Sequence, residues 1–157
     1  MKFTGKFVGI RFDLPKYRRQ LEDYLVDLLH EGANAWLQAV AGPGGRVPLW
    51  SGMARASLLE LSELISGRVV LTPLKGPSRI SEGRSLGTAI QEISESKVQL
   101  TIETMVPHYS LQERSNVGVS KSAPWNSLLA GKLAFLAAIK DARLPGPALR
   151  PIQIKAV

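Results

Sequence analysis

The sequence has no cysteine, only two histidines and no long apolar run, and each of these shortages excludes a class of protein or site. Without cysteine there are no disulfides, thiolate metal sites or cysteine nucleophiles. His30 and His108 lie too far apart to fit a metal-binding motif. No stretch approaches the ~20 apolar residues that span a bilayer, and the first residues lack the apolar core of a secretory signal. We therefore expect a protein that binds no metal, cofactor or membrane and that is made and used in a cytoplasm, or in something assembled there.

The residues that are present have the composition of one basic globular domain. The chain has 157 residues, and its low aromatic share of 6% leaves leucine, isoleucine, valine and alanine to fill the core. Its 20 lysines and arginines outnumber 13 aspartates and glutamates, which gives a formal net charge of +7. A surface of this sign attracts polyanions or acidic protein partners. The charge alone does not decide between them.

The spacing of apolar residues predicts three helices. Apolar residues recur at three- and four-residue steps over 16–40, between Pro15 and a glycine-rich break, and this predicts a long N-terminal helix. A second helix over about 51–65 is predicted to be capped by the hydroxyl of Ser51. A third helix over 124–142 carries a stripe of leucines and opens with proline in its first turn. His30 is predicted to lie on the polar side of the long helix.

Extended segments make up the rest of the predicted domain. Alternating residues predict a hairpin of 87–93 with 97–106, turned at 94–96, in which the second strand is the better defined. The segment 68–72 is strand-like, and 73–85 has the composition of a long loop. These elements define an α+β fold in which a long N-terminal helix and a C-terminal helix pack on a small antiparallel sheet.

The predicted domain covers residues 1–143 and carries an extended arm at each end. The N-terminal arm is 1–14, within which 3–12 alternates loosely. The proline-rich segment 144–157 cannot be helical and is predicted to be a C-terminal arm that leaves the domain.

None of the polar motifs makes a convincing catalytic site. The glycine-rich segment 42–46 follows a helix and lacks the Gly-Lys-Ser/Thr ending of a phosphate loop. Ser94 and Lys97 have a serine–lysine spacing that requires a helix, but a hairpin turn is predicted there. His108 follows a proline beside Tyr109, a position more typical of a structural histidine than of a catalytic one. We expect a protein that is not an enzyme, without catalytic, cofactor or metal-binding residues.

Two basic clusters are candidates for contact with an anionic partner. The first lies in the N-terminal segment and the start of the long helix, and its candidates are Arg11, Lys16, Arg18 and Arg19. The second lies in the predicted loop, with Arg79 and Arg84 as candidates. Either cluster could neutralise phosphates, yet no motif that reads nucleic acid accompanies them. A solvated surface is an equally good interpretation of each.

Three short motifs follow one another in order over about residues 47–140. The first is VPLWSGMARAS at 47–57, the second is EGRSLG at 82–87, and the third is HYSLQE at 108–113, which leads to APW at 123–125 and GKLAF at 131–135. Together they resemble the small neck proteins of tailed bacteriophages, which are head–tail joining or tail-completion subunits. In that family a Ser/Thr-Gly and a helix precede a small sheet, a strand ends in Tyr and Glu, and Ala-Pro with an aromatic residue opens the last helix. This chain has Ser51-Gly52 where Thr-Gly is common.

The resemblance implies a structural virion protein that forms a homo-oligomeric ring in the neck, between the DNA-filled head and the tail. The implied partners are a portal or head-completion adaptor on one side and a tail tube or tail terminator on the other. Non-specific contact with DNA in the channel is also implied. The expected location is the neck of the virion, after assembly in the host cytoplasm.

The same resemblance assigns roles to individual residues. His108, Tyr109 and Glu113 become interaction candidates at a strand end, followed by an adaptable loop over 116–122. The structural anchors are Trp50, Ser51, Gly52, Pro124 and Trp125. Trp125 is expected to hold the last helix to the sheet.

Two other function classes remain open from the sequence. A basic DNA-binding or packaging accessory protein would explain the net charge of +7. A hydrolase or nuclease with an unrecognised site around His108 is a third hypothesis, for which no activity can be named.

Overall fold

The computed structural model describes residues 7–74, 76–94, 97–107, 109, 125–147 and 149–154 and confirms the α+β fold. The long N-terminal helix, the C-terminal helix and the small antiparallel sheet are all present. In chain order the elements are β1 (Phe7–Phe12), α1 (Leu14–Ala41), α2 (Met53–Ala56), α3 (Leu59–Leu64), α4 (Ile80–Ser85), β2 (Gly87–Ser94), β3 (Lys97–Thr104), α5 (Ser127–Ile139) and β4 (Leu149–Ile154).

Local sequence determines both ends of α1, and the predicted helix is confirmed with slightly wider bounds. The carboxylate of Asp13 accepts a hydrogen bond of 3.3 Å from the backbone N–H of Lys16, and Pro15 occupies the first turn. At the other end the N–H of Gly42 donates to the carbonyl of Gln38. A capping side chain, a proline and a terminal glycine are signals that a single sequence carries in full.

The prediction of one helix over 51–65, capped by Ser51, is wrong. The helix is divided into α2 and α3, and Gly52 is the N-cap of α2, with a left-handed φ of 80° that favours glycine and with no side-chain cap. At the division, the hydroxyl of Ser57 donates to the carbonyl of Ala54 and accepts from the hydroxyl of Thr104, both at 2.8 Å. Serine that bonds back to a helical carbonyl competes with continuation of the helix.

Two predictions for the segment between α3 and the hairpin are also corrected. Residues 68–72, which the sequence predicts to be strand-like, belong to neither of the described sheets. The N–H of Val70 instead donates to the carbonyl of Ala41, at the end of α1, at 3.1 Å. The predicted loop 73–85 contains α4, which packs on α2. Tertiary contact overrides the loop-like glycine and serine content of this segment.

The hairpin of β2 and β3 is confirmed. The strands are antiparallel, with Gly87 opposite Thr104 and Ser94 opposite Lys97. Its inner face packs Ala89, Leu100 and Ile102 against the core. That core lies where the C-terminal half of α1 meets α2, α3 and the hairpin, and its largest fully buried side chains include Leu37, Val40, Val47, Leu58 and Leu61.

The two predicted arms pair with each other. β1 and β4 form an antiparallel ribbon with Phe7 opposite Ile154 and Phe12 opposite Leu149. Pro151 lies opposite Ile10 within this ribbon. Proline is tolerated there because each strand of a two-stranded ribbon is an edge strand.

Candidate interaction surface

An apolar stripe of α5 is exposed to solvent. Leu129, Leu133 and Leu136 have 57%, 60% and 49% of their surface exposed. Their spacing of four and three residues places them on one side of the helix, and we call these three residues the leucine face. A surface helix ordinarily turns such a stripe inward, and a contiguous exposed apolar patch marks a site of interaction.

The opposite side of α5 is already filled. The ring of Phe135 lies over Gly32 of α1, and the indole of Trp36 lies against Gly131. Ser127 is also buried, with its hydroxyl 3.1 Å from that of Tyr109. These contacts fix the rotation of α5 about its axis. The leucines that the sequence marks as the apolar stripe of this helix therefore face outward, and the helix cannot bury them by turning.

An apolar groove of about 230 Å³ runs between α1, β3 and α5. It is lined by Leu25, Leu28, Leu29, Val98, Phe135 and Ile139. All six lining side chains are apolar, so the groove can bind apolar groups but supplies no acid, base or nucleophile from these residues.

The outward side of the hairpin combines one exposed isoleucine with two acidic residues. Ile90 and Glu92 are exposed on β2, and Glu103 is exposed on β3, opposite Thr88. Alternation along the strands places all three on the side that faces away from the core. The Nζ of Lys97 lies 3.3 Å from a carboxylate oxygen of Glu92. We call Ile90, Glu92 and Glu103 the outer hairpin face.

The basic residues at the start of α1 lie at the surface but among acids. Lys16, Arg18 and Arg19 are exposed, and the Nε of Arg18 lies 4.0 Å from a carboxylate oxygen of Glu22. Lys16 and Arg19 border a shallow depression that also includes Asp13, Gln20 and Asp23. Arg11 lies in β1, opposite Arg150 of β4. The N-terminal cluster is therefore a surface of mixed charge.

The arginines of the predicted loop 73–85 are paired with glutamates. Arg79 forms two hydrogen bonds with Glu82, one of them from Nε at 2.6 Å. The hydrogen bond and charge of Arg79 lower the pKa of Glu82, and the hydrogen bond and charge of Glu82 raise the pKa of Arg79. Arg84 donates to Glu63 of α3 at 2.6 Å. These pairs offset the positive charge that the sequence offers to phosphates.

Three aromatic residues join α5 to the turn before α2. Trp125 is 5% exposed, and its ring centroid lies 6.3 Å from that of Trp50 and 5.5 Å from that of Tyr109. Trp125 thus anchors α5 through these two rings, which lie outside the sheet that the sequence predicts as its partner. Tyr109, an interaction candidate from the sequence, is buried in this cluster, so its side chain packs the interior and is not presented to a partner.

The backbones of Trp50 and Ser51 also contribute to this turn. The carbonyl of Trp50 accepts from the N–H of Leu74, and the carbonyl of Ser51 accepts from the N–H of Arg79, both at 2.9 Å. The turn before α2 therefore holds the segment that leads to α4. The remaining candidates, His108, Glu113 and Pro124, and the loop 116–122 lie outside the described residues.

Sequence reasoning missed the role of Arg55. This side chain is 3% exposed, and its guanidinium donates to the carbonyls of Ala41, Gly42, Gly45 and Val47 at 2.6–3.1 Å. Desolvation by burial lowers the pKa of Arg55. The available signal was an arginine within the apolar and small residues of 53–58.

The position predicted for His30 on the polar side of α1 is corrected. Its Nε2 lies 2.5 Å from the side-chain oxygen of Gln91 on the inner side of β2, and the ring is half-buried. His30 therefore joins α1 to the hairpin.

Within the described ranges, no group of three or more acidic or histidine side chains is placed to share a metal ion. None of the helices in that part of the chain has both the length and the apolar character needed to cross a bilayer.

Comparison of the chain with family models, with curated proteins and with solved structures finds no match.

Proposed function

We propose that this protein is a structural, non-enzymatic subunit of a tailed-phage virion that forms a homo-oligomeric ring in the neck. The observation that carries the proposal is the leucine face, which remains exposed while the other side of α5 is filled by Phe135 and Trp36. Subunits of permanent assemblies have interfaces that resemble a divided hydrophobic core, so the isolated subunit exposes apolar surface. The resemblance of the ordered motifs between residues 47 and 140 to neck proteins supports this kind of assembly.

The ribbon of β1 and β4 supports an assembly role. A two-stranded ribbon is at best marginally stable in water and leaves two unpaired edges. Such edges can accept a strand from a neighbouring subunit through main-chain hydrogen bonds. In a neck ring the ribbon would extend the contact between subunits beyond the α+β body.

The proposed partners follow from the place of the ring between head and tail. A portal or head-completion adaptor would lie on one side, and a tail tube or tail terminator on the other. The net charge of +7 suits an acidic protein surface or non-specific contact with DNA in the channel.

Purified phage particles provide the test. We expect mass spectrometry to find the protein in particles at a stoichiometry of several copies, and removal of its gene to leave heads and tails unjoined. Absence from the particle would overturn the proposal. A chain that stays strictly monomeric both alone and with portal or tail partners would overturn it as well.

A basic DNA-binding or packaging accessory protein is the second candidate, favoured by the exposed Lys16, Arg18 and Arg19 at the start of α1. Binding that depends on phosphate contacts weakens steeply with salt because counterions are released. Duplex binding that persists at about 150 mM salt would favour this candidate. The pairing of Arg79 and Arg84 with glutamates counts against it.

A further inference from the structure

We infer that the leucine face of one copy of this chain packs on the outer hairpin face of the next copy. The inference rests on the proposed ring, for which it identifies the contact between neighbouring subunits. It commits to a second copy of the chain as the occupant, on grounds of charge, orientation and size.

The two surfaces are complementary in charge and in apolar character. Lys132 and Lys140 are exposed and lie three residues after Leu129 and four after Leu136, so they border the leucine face. On the other surface, Glu92 and Glu103 border the exposed Ile90, and Lys97 on the same side lies 3.3 Å from Glu92, so Glu103 is the acid that this surface offers to a neighbour. Leucines would meet an isoleucine at the centre of such a contact, and Lys132 would meet Glu103 at its rim.

The same charges disfavour a symmetric contact between two copies of α5. A two-fold contact places one patch against an identical patch, so both partners would bring Lys132 and Lys140 to the same small interface. Like charges across an interface suppress pairing. Two different complementary patches instead form a head-to-tail contact, which closes into a ring when the rotation between copies permits.

The leucine face and the outer hairpin face of the same copy cannot contact each other. The inner side of the hairpin faces α5, because Val98 lines the apolar groove together with Phe135 and Ile139. The outer hairpin face is on the reverse of the same two strands. It therefore points away from α5, and only a neighbour can bring the two surfaces together.

The contact is expected to be weak for a single pair of subunits. Stable complexes bury about 800 Å² per partner, more than three leucines and their flanking lysines can cover. Closure of a ring or binding to a neighbouring layer would supply the missing stability through effective concentration. The paired chains should therefore be trapped covalently to make the contact visible.

The absence of cysteine from the chain allows site-specific trapping. We would mix Leu133→Cys with Ile90→Cys under mild oxidation at about 100 µM, where a contact of micromolar affinity is populated. The expected product is a disulfide-linked heterodimer, and the double variant should give a ladder of higher oligomers. Leu14→Cys, which is exposed at the start of α1 and lies on neither surface, replaces Ile90→Cys as the matched control and should link roughly tenfold less.

Charge reversal supplies the second measurement. Adding Lys132→Glu to the Leu133→Cys chain should slow its linking to the Ile90→Cys chain by roughly threefold, as expected for one exposed ion pair. Adding Glu103→Lys to the Ile90→Cys chain should restore the rate. Unchanged thermal unfolding would show that the exposed substitutions leave the fold intact.

Two outcomes would overturn the inference. Linking of Leu133→Cys alone as fast as the mixture would identify a symmetric helix contact. An absence of linking above the Leu14→Cys control would show that the two surfaces do not meet. Detection of the protein in particles with either outcome would leave the neck assignment standing with a different subunit contact, whereas absence from particles would remove the assignment itself.

Discussion

At the residue scale, the guanidinium of Arg55 organises the turn that follows α1. Its Nε donates to the carbonyl of Val47 at 2.6 Å, and one terminal nitrogen donates to Ala41 and Gly42 at 2.8 and 2.9 Å. Burial lowers the pKa of Arg55, but an arginine remains charged throughout the range in which proteins fold. Backbone carbonyls thus stabilise the positive charge of Arg55. In return, Arg55 supplies these carbonyls with hydrogen-bond donors that the glycine-rich turn cannot provide.

We predict that Arg55→Met lowers the free energy of unfolding by about 2–4 kcal/mol, because several buried carbonyls lose their donor. Arg55→Lys should recover only part of this loss, since an ammonium lacks the planar fork of the guanidinium. Urea denaturation measures both effects. Arg46→Met, at an exposed position of the same turn, is the control and should change stability by no more than about 0.5 kcal/mol. Equal stability of the Arg55→Met and Arg46→Met chains would contradict the assigned role.

Trp125 and Trp50 carry the same side chain but differ in burial, so their substitutions can be compared directly. Trp125 is 5% exposed, and Trp50 is 40% exposed. Trp125→Ala should therefore destabilise the fold by about 3–5 kcal/mol through a cavity between α5 and the turn before α2. Trp50→Ala should cost clearly less. Thermal unfolding compares the two, and an unchanged melting temperature for Trp125→Ala would exclude Trp125 as the anchor of α5.

At the element scale, the sequence predicts those helices and strands whose signals are local. Pro15 and Gly42 bound α1, and alternation over β3 defines the hairpin. The division between α2 and α3 depends on a bond from Thr104 to Ser57, 47 residues apart, which periodicity cannot reveal. α4 likewise depends on packing against α2.

The close packing of β2 on the junction of α2 and α3 can be tested at Gly87. A Cβ on Gly87 would overlap the backbone carbonyl of Ser57, which cannot move aside like a flexible side chain. We predict that Gly87→Ala destabilises the fold by about 1–3 kcal/mol, the usual cost of overpacking. Gly146→Ala, where no atom lies within 4 Å of the added group, is the matched control for urea denaturation. Equal midpoints for the two variants would contradict the close approach of β2 to the α2–α3 junction.

The ion pair at the start of α4 gives a pH-dependent prediction. The hydrogen bond from Arg79 lowers the pKa of Glu82 below the ordinary 4.5. The ion pair therefore stabilises the fold fully above pH 4.5, and this stabilisation is lost as pH falls through the lowered pKa. Wild type should therefore be slightly more stable than Glu82→Gln near neutral pH, and the difference should vanish in acid. Urea denaturation across this range measures it. Arg79→Gln should abolish the same difference, and a difference that persists in that background would assign it to another partner.

The sequence predicts that the residues of the leucine face lie on a helix, but it does not predict that they face solvent. The repeat of Leu129, Leu133 and Leu136 resembles the core stripe of an ordinary helix, and nothing in its spacing distinguishes an inward from an outward stripe. The decisive residues are Gly131 and Gly32, which admit Trp36 and Phe135 and thereby commit the opposite side of α5 to the interior. Such a contact joins positions far apart in the chain, so only the folded structure can assign the stripe to solvent.

At the scale of the whole molecule, association through the leucine face and binding of an anion through the net charge of +7 should depend differently on salt concentration. Apolar contact is little weakened by screening, whereas contact with phosphates is lost as counterions compete. The exposed cations at the start of α1 lie among acids, and Arg79 and Arg84 are paired with glutamates. These candidate phosphate contacts are therefore offset by neighbouring acids.

We predict that linking of the Leu133→Cys and Ile90→Cys chains changes less than about threefold between about 50 and 500 mM salt, because a single rim ion pair is worth only that much. Duplex binding measured on the same chains should be weak and should fall steeply over this range, since each neutralised phosphate adds about −0.9 to the salt slope. Arg18→Glu with Arg19→Glu is the control, because it should reduce duplex binding further and leave linking unchanged. A parallel loss of linking and duplex binding would mean that charge, and not the leucine face, drives association, and the DNA-binding alternative would then account better for the whole molecule.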